Sequence, residues 1–361
     1  MSAIFVCHTT FQWITAIRIK QTLRKDVDAY LVATDEAGIY ASAAGRLKKT
    51  GLFRDVFYVP CSSYPRKILL TAEGITGHCI YPGKLPVTDE LFFFNESSLS
   101  SFLFAYLLRH NPALSCRRYE EGIFSYPEAL PASPPAVFIK KVRSAFRKPN
   151  LLDSTKDFYC FEPSLYKGPR NPVRIPKIDP ANERETRLIS GVFTGDRKIR
   201  EYREKYIYFS TTSDQYKAGS DEELKLAKKI AERVGKDNLL IKAHPKDDVR
   251  RYQRAGLKTD ENSGLPWEAI QLSGDFSDKV FLTAYSSSIL SLNRMLQNPV
   301  QSYFLYPLCD SSDNPVARSC IAAIDRFFQY AGAADGRFRI IRDLDEITER
   351  GSRGGTARDG K

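Results

Sequence analysis

Residues 238–246 read NLLIKAHPK. Leu239, Leu240 and Ile241 form a short apolar run of the kind that makes a buried strand. The run stops at Lys242-Ala243-His244-Pro245. Pro245 has no N–H to give a ladder and biases His244 toward an extended backbone, so the strand ends there. One imidazole is thereby left at a strand's carboxyl end, the edge at which open α/β sheets bind ligands. Lys242 and Lys246 flank it, and no carboxylate appears until Asp247, so the expected ligand is anionic. A lone His-Pro is also compatible with a purely structural strand-end histidine, and the surrounding chain decides between the two.

The stretches on either side repeat one pattern. YIYFS (206–210) reads as a strand, followed by the loop 211–217. Residues 220–235 read as a helix: Ser220 can cap it with Glu223 as the capping-box partner, Leu224, Ala227 and Ile230 share a face, and Gly235 can terminate it. After the His-Pro strand, Leu265-Pro266-Trp267-Glu268 begins another helix, with proline near the first turn. KVFLT (279–283) is a strand that runs into Ala284-Tyr285-Ser286-Ser287-Ser288 and the helix 289–296. Residues 302–305 and 338–341 are further strands, and 344–350 is short and helical.

The first half alternates in the same way. Strands are expected at 3–7 (AIFVC), 28–33, 56–59, 91–94 and 116–119, and helices at 11–23, 41–50 (ended by Gly51) and 103–109. Strand–helix alternation of this kind argues for a parallel, doubly wound α/β sheet. No G-x-G-x-x-G follows the first strand, so a dinucleotide site is not supported there. The strand 116–119 leads into Glu120-Glu121-Gly122, which places two carboxylates on the loop edge of the sheet or forms an ordinary solvated turn. PEALPASPP (127–135) must be a loop. Residues 136–148 (AVFIKKVRSAFRK) are basic and amphipathic, with Val137, Phe138, Val142, Ala145 and Phe146 able to share a face. Such a segment suits an anionic membrane surface, or a surface helix packed on its own domain. The Pro-, Lys- and Arg-rich region 163–203 reads as the interdomain crossover. The expected domains are 1–185 and 186–350, followed by a disordered tail at 351–361.

Composition narrows the class. A chain of 361 residues is long enough for two cores, and its hydrophobic fraction of 42% and charged fraction of 27% are those of an ordinary globular protein. No apolar run approaches the roughly 20 residues that span a bilayer. The start lacks a basic n-region and an adequate apolar segment, so no signal peptide is read. The 7 cysteines are scattered without a C-x-x-C, which argues against zinc or a disulfide framework and fits a reducing cytoplasm. A net charge of +11 favours anionic partners. No nucleic-acid-binding motif is visible, so nucleic acid is not expected as a partner.

Three loops of the second half converge on one sheet edge: Ser210-Thr211-Thr212, Lys242 to Lys246 around His244, and Ser286, Ser287 and Ser288 at a helix start. Serine hydroxyls and unpaired N–H groups at the positive end of a helix dipole make a phosphate or carboxylate site, although they also serve as a plain helix cap. With an anion in the second half and a carboxylate pair in the first, the chain reads as a group-transfer enzyme. His244 assists a leaving phosphate, and Glu120 or Glu121 takes a proton from an attacking hydroxyl. No metal is needed if His and Ser neutralise the leaving group. No G-x-S-x-G is present, so serine-hydrolase chemistry is not favoured.

The order E-E-G (120–122), H-P (244–245) and Ser-Ser (286–287) resembles the three motifs of bacterial sialyltransferases, including the lipooligosaccharide and polysialic-acid enzymes of glycosyltransferase families 52 and 38. The layout extends over nearly the whole chain. The resemblance implies a GT-B fold, two Rossmann-like doubly wound domains facing a central cleft, and inverting, metal-independent, cofactor-free transfer of sialic acid from CMP-sialic acid to a surface glycan. The acceptor would be a lipooligosaccharide, O-antigen or capsule hydroxyl. It further implies that an acid of Glu120-Glu121-Gly122 is the general base, with Glu120 preferred, and that His244 of His244-Pro245 contacts the CMP phosphate. Ser286 and Ser287 would bind that phosphate, Glu268 the ribose hydroxyls, and the Lys242-Ala243 backbone would border the cytosine. Glu-Glu stands where many members carry Asp; an extra methylene is enough to move the base by about an ångström, against the roughly 0.5 Å tolerance of a preorganised site, so the choice between Glu120 and Glu121 stays open. His8-Thr9-Thr10 and Ser125-Tyr126 are the candidate acceptor loops. The expected location is cytoplasmic, with peripheral contact to the anionic inner membrane. A Kdo or polyol-phosphate transferase using CMP or CDP donors, a UDP-sugar transferase, and a non-catalytic basic surface-binding protein are the alternatives.

Overall fold

The computed structural model describes residues 1–34, 40–59, 61, 63–79, 85–126, 133–211, 222–262, 264–309, 315–332 and 336–348. The expected cap at Ser220, the loop residues 212–217, the proline loop at 127–132 and the tail 351–361 lie outside these residues. The chain divides into two units, Met1–Arg197 and Lys198–Lys361.

The first unit contains β1 (Ser2–Cys7), α1 (Thr10–Thr22), β2 (Asp28–Thr34), α2 (Tyr40–Lys49), β3 (Asp55–Val59), α3 (Tyr64–Thr76), β4 (Glu90–Phe93), α4 (Ser98–His110), β5 (Ser115–Tyr119), α5 (Pro134–Ala145), β6 (Thr155–Cys160), β7 (Asn171–Arg174) and α6 (Glu183–Thr194). The strands form one sheet in the order β3-β2-β1-β4-β5-β6-β7, with every described pairing parallel. Alternation sorts its two faces. Ile4, Val6, Leu91 and Phe93 join Leu103, Leu107 and Leu151 in one core. On the other face Phe5 stacks on Phe92 at 4.4 Å. Pro172 is tolerated in β7 because that strand lies at the sheet edge.

Several elements exceed the expectation. The strands β6 and β7 and helix α3 were not foreseen, and the region read as a crossover carries β7 and α6. The division at 197/198, against the expected 185/186, follows from α6. Its Phe193 packs edge-on against Trp13 of α1 at 5.8 Å. Arg46 donates to the Val192 carbonyl at 2.7 Å, and Arg18 pairs with Glu185 at 2.6 Å. These contacts, with Ile189 and Val192 fully buried, hold α6 to the first unit.

The second unit contains β8 (Tyr206–Phe209), α7 (Glu222–Val234), β9 (Leu239–Lys242), α8 (Val249–Arg254), β10 (Lys258–Thr259), α9 (Trp267–Gln271), β11 (Val280–Thr283), α10 (Ser287–Arg294), β12 (Gln301–Phe304), α11 (Pro315–Phe327) and β13 (Phe338–Ile340). Its parallel order, β10-β9-β8-β11-β12-β13, is the doubly wound arrangement with a switch of direction between β8 and β11. Trp267 anchors α9 in an aromatic cluster with Tyr202, Phe209, Phe276 and Phe281. No helix among the described residues is long and apolar enough to cross a membrane.

Candidate active site

Register brings the second unit's loops together. Lys242 pairs with Phe209, Phe209 with Thr283, and Thr283 with Phe304, so all four strands end in one row. Neighbouring strands lie about 4.8 Å apart, so the His244 loop and the serine loop flank the β8 end within roughly 10 Å. The β8/β11 pair is the topological switch point, where such sheets bind ligands.

His244 is held by its backbone and its ring. Its N–H donates to Ser210 Oγ at 3.0 Å, and its Nδ1 accepts from the Lys246 N–H at 3.1 Å. That bond fixes the neutral tautomer, with the ring proton on Nε2. Burial lowers the His244 pKa; Asp247 opposes this, while Lys246 and Lys242 reinforce it. The side chain is therefore a neutral Nε2–H donor at pH 7. Pro245 and Lys246 are exposed and Ala243 is half-buried beside them.

Ser210 and Thr211, expected beside the ligand, make internal hydrogen bonds. Ser210 Oγ donates to Asp247 Oδ2 at 2.6 Å, which also accepts from Arg251 at 2.9 Å and Tyr252 at 3.2 Å. Thr211 donates through its N–H (3.0 Å) and its hydroxyl (2.9 Å) to the buried Glu223, which also accepts from the Tyr208 hydroxyl at 3.1 Å. Burial pushes the Glu223 carboxyl up to about 7, against the opposing effects of Thr211 and Arg251. Glu223 was expected to be only a capping-box partner, and Asp247 and Arg251 were not singled out at all. The available signal was the Asp-x-x-x-Arg spacing three residues after His244, which a short helix turns into an i,i+4 ion pair.

Lys242 is also redirected. Its ammonium is buried and sits 3.7 Å from Asp260. Burial lowers its pKa, and Asp260 and then Glu268 raise it. Its charge is therefore matched within the unit rather than offered to a ligand. Glu268 stands in the first turn of α9; burial raises its pKa, opposed by its own N–H and by Lys242.

Ser286 takes the N-cap position of α10, but its hydroxyl makes no capping bond and lies 2.6 Å from that of Ser288. Its N–H donates to Thr283 Oγ1 at 2.9 Å. Ser286 and Ser287 are half-buried and Ser288 is exposed, so hydroxyls sit at the positive end of an eight-residue helix beside the His244 loop.

In the first unit the two adjacent acids separate. Glu120 is 0% exposed. Its Oε2 accepts from the Phe161 N–H at 2.7 Å and from the Tyr126 hydroxyl. Glu121 is half-buried, and its N–H donates to Ser125 Oγ at 2.5 Å. Gly122 adopts φ 75°, ψ −165°, a region essentially restricted to glycine, and this turns the chain into the 3₁₀ turn Ile123–Ser125. Arg118 clamps that turn by donating to the Ser125 carbonyl at 3.0 Å and the Phe94 carbonyl at 3.1 Å. Ser125 and Tyr126 are buried and form part of this scaffold. His8, at the end of β1, is half-buried between the hydroxyls of Thr34 and Ser97, each at 3.3 Å.

No protein-family profile matches the chain, and no curated protein matches it. Solved structures do. The α/β-galactoside α-2,3-sialyltransferase of Photobacterium phosphoreum aligns with 95% of this chain and 98% of its own at 11% identity and a TM-score of 0.51. The UDP-GlcNAc 2-epimerase of Methanocaldococcus jannaschii aligns over 96% and 91% at 11% identity and a TM-score of 0.47. The kitacinnamycin glycotransferase aligns over 95% and 86% at 8% identity and a TM-score of 0.47. At such identities the likeness is one of fold: two parallel-sheet α/β units of Rossmann-like topology, the fold class of the GT-B glycosyltransferases.

Proposed function

We propose that the chain is an inverting glycosyltransferase that moves sialic acid from CMP-sialic acid to a hydroxyl of a glycan acceptor. The observation that carries this reading is the neutral His244 Nε2–H donor beside the serine-rich start of α10, at the switch point of the second unit. The ordered E-E-G, H-P and Ser-Ser motifs and the fold likeness to a sialyltransferase support it.

In the proposed reaction an acceptor oxygen attacks the anomeric carbon of the donor. The bond from that carbon to the phosphate oxygen breaks, and CMP departs with the bonding electron pair. His244 Nε2–H, the Ser286 and Ser287 hydroxyls and the first N–H groups of α10 donate to the departing phosphate and stabilise the charge that develops on it. Glu268 holds the ribose. Lys242, matched by Asp260, shapes the nucleotide site through its backbone and that of Ala243. The acceptor proton passes to a carboxylate, and the base is Glu121 rather than Glu120, because only Glu121 has an accessible side chain.

The test is a thermal-shift panel of CMP, CDP, UMP, UDP and GDP on the parent and on His244→Ala, followed by CMP-sialic acid. A ligand at about 100 times its dissociation constant adds roughly 2.7 kcal/mol. A shift with CMP that is lost in the variant is expected. A preference for CDP, or for CMP-Kdo over CMP-sialic acid, reassigns the donor. A preference for UDP rejects the cytidine site. No shift with any nucleotide rejects the transferase reading in favour of a basic binding protein.

A further inference from the structure

Helix α5 leaves three large apolar side chains in solvent, more than a helix that only packs on its own unit would expose. Ala136, Ile139 and Arg143 face inward. Val137 is 40%, Phe138 55% and Phe146 71% exposed. The face foreseen from periodicity, with Val142 beside Val137 and Phe138, is thus redistributed. The i, i+3, i+7 line of Ala136, Ile139 and Arg143 packs on α3, where Gly74 leaves room for Ile139, and Arg143 donates to the Pro149 and Gly74 carbonyls. Pro134, Val137, Phe138, Lys141 and Ala145 therefore point outward along about 18 Å of helix.

Charge on the segment itself has one sign. Residues 133–149 hold Lys140, Lys141, Arg143, Arg147 and Lys148 and no carboxylate. Lys140 has Asp153 at 3.8 Å, in an exposed pair. Among the described residues no acidic partner faces Lys141, Arg147 or Lys148. Arg147 itself adopts φ 53°, which turns the chain just after Phe146.

We propose that the outward face of α5, with Phe146 at its end, docks on an anionic lipid bilayer. The aromatic rings enter the interface, and Lys141, Arg147 and Lys148 meet the headgroup charge. Apolar anchors ringed by cations match such a surface in both respects. A protein partner would instead leave the cations in need of matching acids, and a second copy of this face would oppose like charges. The proposal is independent of the donor chemistry.

The experiment is co-sedimentation of the full chain with vesicles of phosphatidylcholine alone and of phosphatidylcholine mixed with phosphatidylglycerol. The parent is expected to bind only the anionic vesicles and to be released by salt. Lys141→Gln with Lys148→Gln lowers the partition coefficient roughly thirty-fold, from the loss of two interfacial cations. Phe138→Ser with Phe146→Ser also lowers it, while Lys228→Gln with Lys229→Gln, on exposed positions of α7, leaves it unchanged. All these side chains are exposed, and unchanged thermal unfolding checks the fold of each variant. Equal binding to both vesicle types, no binding, or binding indifferent to the α5 variants overturns the proposal. So does a dimer in sedimentation that Phe138→Ser dissociates while lipid binding persists.

Discussion

Replacing Glu120 and Glu121 by alanine, one at a time, tests whether the first carboxylate holds the fold and the second serves the proposed transfer. Glu120 has no exposed surface, and its Oε2 accepts from the Phe161 N–H and the Tyr126 hydroxyl. Glu120→Ala orphans both donors. The Phe161 N–H is left in a buried strand-end position, whereas the Tyr126 oxygen still accepts from the Glu162 N–H at 3.1 Å. Each buried unpaired donor costs about 1–3 kcal/mol, so the substitution should cost roughly 2–6 kcal/mol of stability. That is a large share of the about 5–15 kcal/mol of a native protein. Glu121→Ala should change stability by less than about 1 kcal/mol, because the residue is only half-buried, and should lower the proposed transfer by about 10²–10⁴-fold as a lost general base. Urea denaturation and transfer from CMP-sialic acid, measured on the same preparations, give both quantities. A Glu120→Ala protein as stable as the parent but inactive, with Glu121→Ala active, would refute the assignment and return the base to Glu120.

Two further predictions concern stability. One guanidinium, Arg251, serves two buried carboxylates, Asp247 at 2.9 Å and Glu223 at 3.5 Å, and burial pushes Glu223 up to about 7. A folded pKa above the unfolded value of about 4.3 means that the folded state holds the proton more tightly. This stabilisation is complete below about pH 4.3 and is lost as pH rises to about 7, by roughly 4 kcal/mol, and Glu223→Gln should remove that slope from denaturation curves taken across this range. Gly51 and Gly77 have left-handed backbones, φ 68° and 72°, but a Cβ on Gly51 meets no atom within 4 Å while one on Gly77 lies 2.7 Å from the Ala105 carbonyl oxygen. Gly51→Ala should therefore cost about 1–2 kcal/mol, the left-handed penalty alone, and Gly77→Ala measurably more; equal losses in urea would show that the α3–α4 approach yields without strain.

Much of the architecture was legible because parallel strands buried on both faces read as short apolar runs. AIFVC, LLIK and VFLT all became strands at their expected places. Strand β6, TKDFYC, escaped because polar residues interrupt it. Strand β7, NPVR, escaped because a proline at an edge looks like a break. Helix α6 reads as linker because it opens with the charged run Glu183-Arg184-Glu185, and the Phe193 that packs on Trp13 comes only at its far end.

The class of fold, the His-Pro loop and the serine-rich helix start can be read from local sequence, since strand ends and helix caps are local consequences of proline, serine and apolar runs. Only the tertiary structure decided what each polar side chain faces. Glu120 and Glu121 are neighbours in sequence but point to opposite environments, because successive residues at a strand end alternate in direction. Ser210, Thr211 and Lys242 look like ligands in one dimension, yet their partners Asp247, Glu223 and Asp260 come from other loops and helices. Which hydroxyl or ammonium remains for a substrate depends on those long-range pairings, and no local pattern encodes them.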